Sequence, residues 1–326
     1  MSLTPQEMLK KLKGPLALLP THFNKDESLD LGAMKATAEF VRDKMQGKDG
    51  CIMIAGSTSE FYAMTDEESL AMIDTVVKTV GGKVPVIAGT GRAATKLTID
   101  ISIKAQDKGI DLAMITNPYY LQVTDKGLYR HFSKVAEALK IGVMIYNNPT
   151  TSKMWTPVSI MQQLSKIPNV IASKENSTTM ERVYWMMDAV DPEEFTVCCG
   201  IGNLYYLYEV ILNCKAYVTE LICFAPDIAY AMYDMASQKN YTEIKRQLDR
   251  LIPYHKFIGT CVSRRNVPTV LCEEVGGRAT TVYQSILKKA MELTGLPGGI
   301  VREPLENLTD AEITELKVIL KGIGLI

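Results

Sequence analysis

The sequence predicts an α/β chain folded as a (β/α)8 TIM barrel with additional C-terminal helices. Short apolar or β-rich runs recur eight times, at 15–20, 51–55, 84–88, 112–116, 142–146, 170–173, 195–199 and 216–223. Segments of helical periodicity lie between them. The runs are apolar on both faces, as parallel strands covered by helices must be. Eight such units within 326 residues suit a closed barrel. An open doubly wound sheet is the second arrangement that the same alternation permits.

The second run leads into Gly56-Ser57-Thr58-Ser59-Glu60 and then into a helix over 66–80, whose Leu70, Ile73, Val76, Val77 and Val80 share one face. Thr65 is its expected N-cap, with Glu68 completing a capping box. The third run ends in Gly89-Thr90-Gly91 and is followed by a helix over 95–107; the fourth ends in Asn117-Pro118-Tyr119-Tyr120. The fifth ends in Tyr146-Asn147-Asn148-Pro149, the sixth at Lys174, and the eighth carries Glu220 within its apolar stretch. Beyond about residue 224 the pattern is helical, so residues 1–235 are expected to form the barrel and 236–326 a C-terminal helical region, including Gly295-Leu296-Pro297-Gly298-Gly299. Met53, Met114, Met144, Met186 and Met187 are expected to fill core.

In a barrel of this kind the active site lies at the C-terminal ends of the strands. Lys174 is the most informative residue there, because an ammonium closing an apolar strand is costly to keep and a desolvated amine is a nucleophile toward ketones. Tyr146 ends the adjacent strand, within reach of Lys174 for proton transfer, or else it is a structural tyrosine. Ser57 and Thr58 lie in a glycine-started turn that suits a carboxylate, although turn and capping chemistry explains the same residues. Glu220 calls for either an ion-pair partner or a substrate contact. Gly89-Thr90-Gly91-Arg92-Ala93-Ala94 imitates a dinucleotide turn, which makes a nicotinamide-dependent dehydrogenase the rival reading. The acidic residue such a turn wants at the end of the next strand is absent, since Thr116-Asn117 stands there. The plainer reading is a tight turn passing close to neighbouring backbone.

Composition narrows the classes. With 47% hydrophobic and 22% charged residues the chain can bury a large core, and a formal charge of -1 with dispersed lysines and arginines leaves no basic field for nucleic acid. Residues 1–14 are polar and lack an apolar signal core, and the most apolar later stretch is broken by Glu220, Pro226 and Asp227, so no membrane association and a cytoplasmic location are expected. Seven cysteines without a C-x-x-C, and three dispersed histidines (His22, His131, His255), point to reduced thiols and to no protein-built metal site.

Taken together, Gly56-Ser57-Thr58-Ser59-Glu60, Gly89-Thr90-Gly91, Pro118-Tyr119-Tyr120, Tyr146-Asn147-Asn148-Pro149 and Ser173-Lys174-Glu175 resemble the dihydrodipicolinate synthase and N-acetylneuraminate lyase family, in order across residues 14–257. The resemblance implies a barrel enzyme that joins or splits pyruvate, or a related 2-oxo acid, and an aldehyde without metal or organic cofactor. It implies Lys174 as the imine-forming lysine and Tyr146 as its acid/base. Ser57 would serve in a proton relay, Thr58 at the substrate carboxylate, and Tyr120 as a relay tyrosine lent across a dimer interface, so a homodimer or homotetramer is implied. Gly200 and Val218 would line the pocket. Thr151 stands where the synthases carry an arginine for the second substrate, and Gly202 and Asn203 where sialic acid lyases carry an acidic pair. Ser59 replaces a glycine of the turn, and Ala172-Ser173 a common Gly-Ile. The same imine can also dehydrate a 2-keto-3-deoxy sugar acid; a barrel that has lost turnover is the non-enzymatic alternative.

Overall fold

The computed structural model describes residues 2–265, 267 and 282–326. Eight parallel strands, β1 (Gly14–Leu18), β2 (Cys51–Ile54), β3 (Val86–Gly89), β4 (Leu112–Thr116), β5 (Gly142–Asn147), β6 (Val170–Glu175), β7 (Thr196–Cys199) and β8 (Ala216–Thr219), close in sequence order, with β8 pairing back onto β1. The expected closed barrel is therefore the observed one, and the doubly wound alternative falls.

α1 (Pro5–Lys11) precedes β1; helices α2 (Leu31–Met45), α3 (Asp66–Val80), α4 (Thr95–Asp107), α5 (Asp125–Ala138), α6 (Pro149–Ser152), α7 (Val158–Leu164), α8 (Met180–Asp188) and α9 (Asn203–Glu209) occupy the crossovers; and α10 (Pro226–Ser237) follows β8. Among the described residues three further helices follow, α11 (Tyr241–Arg265), α12 (Tyr283–Leu293) and α13 (Asp310–Gly322). α3 starts as its sequence requires: Thr65 accepts from the Glu68 N–H, and Glu68 accepts in return from the Thr65 N–H. Its buried face is Ser69, Met72, Ile73, Val76 and Val80, with Leu70 and Val77 at its margin. Within the expected C-terminal helical region, residue 266 and residues 268–281 lie outside the described residues.

Two apolar layers hold the barrel. The outer one packs strand faces against helices and includes Met72, Met186 and Phe132, with Met187 at its edge. The inner one fills the barrel with Leu16, Met53, Ile87, Leu112, Met114 and Met144. α1, fixed by a Thr4–Glu7 capping box, closes the N-terminal end with Met8 and Leu12, both fully buried. The six described cysteines are free and buried; Cys272 lies outside the described residues.

Two expectations are corrected. The first run stops being strand at Leu18, and the eighth stops at Thr219, whose hydroxyl accepts the Leu221 N–H and starts a 3-10 turn over Leu221–Cys223. Glu220 therefore stands in the exit turn and not in the strand. At the glycine turn after β3, a Cβ on Gly89 would sit 2.2 Å from the Ala55 carbonyl oxygen and one on Gly91 2.7 Å from the Thr116 nitrogen. Close backbone approach accounts for both glycines.

Candidate active site

β5 and β6 are paired with Tyr146 opposite Lys174. The two-residue alternation of strands carries Met144 and Tyr146, and likewise Ala172, into the barrel. Lys174 is only 5% exposed and has no ion pair among the described residues. Its Nζ lies over the Tyr146 ring, 4.1 Å from the centroid. Asn148 Nδ2 donates to the Tyr146 hydroxyl at 2.8 Å, which leaves the phenolic proton free for another acceptor. The buried Lys174 amine thus rests against a π face rather than a carboxylate.

The outward-facing neighbours hold that pair in place. Asn147 Nδ2 donates to Glu175 Oε2 at 2.8 Å, while the Ser177 hydroxyl and N–H both donate to Glu175 Oε1, at 2.5 and 3.1 Å. Thr156 N–H donates to Asn147 Oδ1, and Thr156 exchanges hydrogen bonds with Asn117, so the exits of β4, β5 and β6 form one network. Burial pushes the Glu175 carboxyl above the usual range, and these donors work against that shift.

The turn after β2 is fastened from the far end of the chain. Thr58 is buried and its hydroxyl lies 2.9 Å from the hydroxyl of Tyr283, the first residue of α12. Gln284 Nε2 donates to the Ser57 carbonyl at 3.3 Å and to the Tyr62 hydroxyl at 3.0 Å. Glu60, held at a φ of 53°, pairs with Lys288 at 2.5 Å, and both side chains are 0% exposed. Lys288 also donates to the Ile300 carbonyl, and the Arg302 N–H donates to Glu60. Burial raises the Glu60 carboxyl and lowers the Lys288 amine, because desolvation outweighs their mutual attraction. Tyr283, Gln284 and Lys288 were missed by sequence reasoning. Nothing in the sequence around Gln284 and Lys288 names a partner more than 200 positions away.

At the β7 exit, a Cβ on Gly200 would meet Asn176 Oδ1 at 2.1 Å and Lys174 Cγ at 2.9 Å, so any side chain there would collide with the lysine stem. Val218 is 3% exposed, inside the barrel. Glu220, half-buried at the β8 exit, has no ion pair among the described residues, and desolvation raises its pKa. Asn203, at the start of α9, is buried with its Oδ1 unpartnered among the described residues. Thr151 is exposed on α6, its hydroxyl donating to the Asn148 carbonyl at 3.1 Å. Tyr120 is not brought to the chain's own Lys174: it is 75% exposed beside Leu121, 69% exposed.

Tyr283 lies within electrostatic reach of Tyr146, Tyr62 and Glu220, which ties the turn to the mouth around Lys174. A buried amine beside a phenol can attack a carbonyl, and a turn rich in hydroxyls and N–H groups can hold a neighbouring anion. Among the described residues no three His, Cys, Asp or Glu side chains are grouped to hold a metal ion, and no helix is long and apolar enough to cross a membrane.

Residues 11–271 match the model of the dihydrodipicolinate synthetase family. The chain is 31% identical over 276 residues to a 4-hydroxy-tetrahydrodipicolinate synthase of Acetivibrio thermocellus, covering 84% of this chain and 86% of that one. It is 27% identical over 298 residues to 4-hydroxy-tetrahydrodipicolinate synthase 1 of Halalkalibacterium halodurans, covering 91% and 92%. The crystal structure of dihydrodipicolinate synthase from Aquifex aeolicus superposes with a TM-score of 0.82 at 26% identity, covering 96% and 98%.

Proposed function

The chain belongs to the dihydrodipicolinate synthetase family, and from that premise we propose that it is a Schiff-base-forming, class I carbon–carbon lyase that joins or splits pyruvate, or a related 2-oxo acid, and an aldehyde. The observation that carries this reading is the buried, unpaired Lys174 amine over the Tyr146 ring. The neutral amine adds to the C2 carbonyl of the 2-oxo acid, and the carbinolamine loses water to leave an imine. The protonated imine draws electrons from C3, which loses a proton to form an enamine and then attacks the aldehyde carbon. In the reverse direction the same electrons return as the carbon–carbon bond breaks.

In this reading Tyr146 moves the protons of carbinolamine formation and collapse, with its hydroxyl oriented by Asn148. Ser57 continues the relay, and Thr58 with the turn's backbone takes the substrate carboxylate. Tyr120 serves from a second copy of the chain, for which its exposure beside Leu121 leaves it available, and the enzyme works as a cytoplasmic homodimer or homotetramer. Lys174 supplies the covalent chemistry, so the reading needs neither metal nor organic cofactor. Gly200 leaves room for the lysine stem, and Val218 walls the pocket.

A second reading, dehydration of a 2-keto-3-deoxy sugar acid by the same imine, draws on the unpaired Glu220 and Asn203 at the exits of β8 and β7, groups suited to a hydroxylated chain. Synthase activity proper would need a partner for the second carboxylate other than Thr151, whose hydroxyl is already engaged. Incubation with pyruvate and sodium borohydride, followed by mass spectrometry and peptide mapping, tests the central step. The expected result is a reduced pyruvyl adduct on Lys174 that is absent from Lys174→Ala. Failure with pyruvate and with other 2-oxo acids would overturn the Schiff-base reading.

A further inference from the structure

We propose that Tyr283 is a positioning residue of the active site: from the C-terminal helix it orients the Thr58 hydroxyl toward the carboxylate of the 2-oxo acid. The inference rests on the Schiff-base reading above and adds to it a residue that lies 225 positions from the one it orients.

Three contacts of one helix fall on three residues of one turn. Tyr283 meets the Thr58 side chain, Gln284 meets the Ser57 carbonyl, and Lys288 meets the Glu60 carboxylate. The deepest of these, Lys288 with Glu60, is fully buried and is further held by the Ile300 carbonyl and the Arg302 N–H, so the helix has little freedom to slide against the turn. The Tyr283 phenol is thereby delivered to Thr58 at a fixed point.

A threonine hydroxyl carries one proton and two lone pairs, and it can serve an anion only if that proton points at the anion. When Tyr283 donates to Thr58 Oγ1, one lone pair is used and the Thr58 proton is free to turn into the mouth. Burial, together with Glu220, Tyr62 and Tyr146 nearby, holds the Tyr283 hydroxyl far above the usual phenol range, so it remains a donor at every working pH. The two-hydroxyl chain then ends on the substrate as a donor, which is the polarity that a carboxylate needs.

The experiment is borohydride trapping of the full-length protein across a series of pyruvate concentrations, read by intact mass. Tyr283→Phe removes one hydroxyl and leaves the ring. The half-saturating pyruvate concentration should rise about tenfold (~1.4 kcal/mol), while the thermal midpoint and the extent of trapping at saturation stay at wild-type values. Thr58→Val should give a similar rise, and the double variant no further one, since both act through one hydrogen bond. Wild-type concentration dependence in Tyr283→Phe, or additive effects in the double variant, would overturn the inference while leaving the Schiff-base reading standing. If the wild-type protein forms no adduct, the reading itself fails and the inference falls with it.

Discussion

Lys174 Nζ stands 4.1 Å from the centroid of the Tyr146 ring, and the two residues are register partners on adjacent parallel strands. The backbone pairing itself fixes the spacing of amine and phenol. The ring face contacts the amine without taking up its hydrogen-bonding positions, whereas a carboxylate at the same place would tie them up.

Tyr146→Phe preserves that ring and removes only the hydroxyl. The initial rate of adduct formation with pyruvate, read by timed borohydride quenching, should fall by about 10²–10⁴-fold, the usual share of positioned proton transfer. Long incubations should still modify Lys174. An unchanged initial rate would remove Tyr146 from the proton path.

Lys174→Met should abolish trapping and yet leave the protein more stable. It exchanges a buried ammonium lacking an ion-pair partner for an apolar chain of similar length, and urea unfolding should register a gain of about 1 kcal/mol. A loss of stability would mean that the lysine is part of the packing framework, contrary to its proposed role.

The Glu60–Lys288 pair should behave as a fastener whose halves depend on each other. Lys288→Met alone leaves a buried carboxylate without its cation and should cost about 3–5 kcal/mol in urea unfolding, whereas Glu60→Leu with Lys288→Met should recover most of that loss. If the single and double variants unfold alike, the pair is not coupled as its 0% exposure implies.

Glu209, the last residue of α9, is fully buried; desolvation pushes its carboxyl up to about 8, and the nearby Cys199, Cys214 and Glu175 supply no cation. Below its unfolded value of 4.5 both states hold the proton and stability is unaffected. As pH rises from there to about 8, only the native state keeps the proton, so stability falls, by at most about 5 kcal/mol. Glu209→Gln should flatten that decline when unfolding is compared at the two ends of the window. A wild-type protein no less stable at the alkaline end would contradict this account.

Tyr120 and Leu121 form an exposed apolar pair on the loop after β4. Leu121→Asp places a charge beside Tyr120 and should shift sedimentation from an assembled species to the monomer, with loss of turnover in parallel. A wild-type chain that sediments as a monomer at working concentration would remove Tyr120 from the relay.

The barrel was legible because each strand announces itself locally, by an apolar run, and each helix by its period; Thr65 and Glu68 even mark where α3 begins. That Lys174 and Tyr146 stand at the ends of adjacent strands was legible for the same reason, since each closes its own apolar run. Glu220 was misassigned because a single threonine hydroxyl, that of Thr219, ends the strand inside an unbroken apolar run. Glu60, Tyr283 and Lys288 were illegible in their roles. Each looks ordinary in its own window, and its significance comes from a pairing between distant segments that periodicity does not record.

Because α1 stoppers the N-terminal end of the barrel with Met8 and Leu12, a molecule reaching Lys174 at the C-terminal end of β6 has no way in past α1. That imposes a sequence of traffic. On the proposed Schiff-base reading, a 2-oxo acid bonded to Lys174 would take the inner berth and arrive first, the water expelled would leave by the route the substrate used, and the aldehyde would dock behind. Kinetics with two substrates should therefore show compulsory order, with the 2-oxo acid leading in condensation and departing last in cleavage.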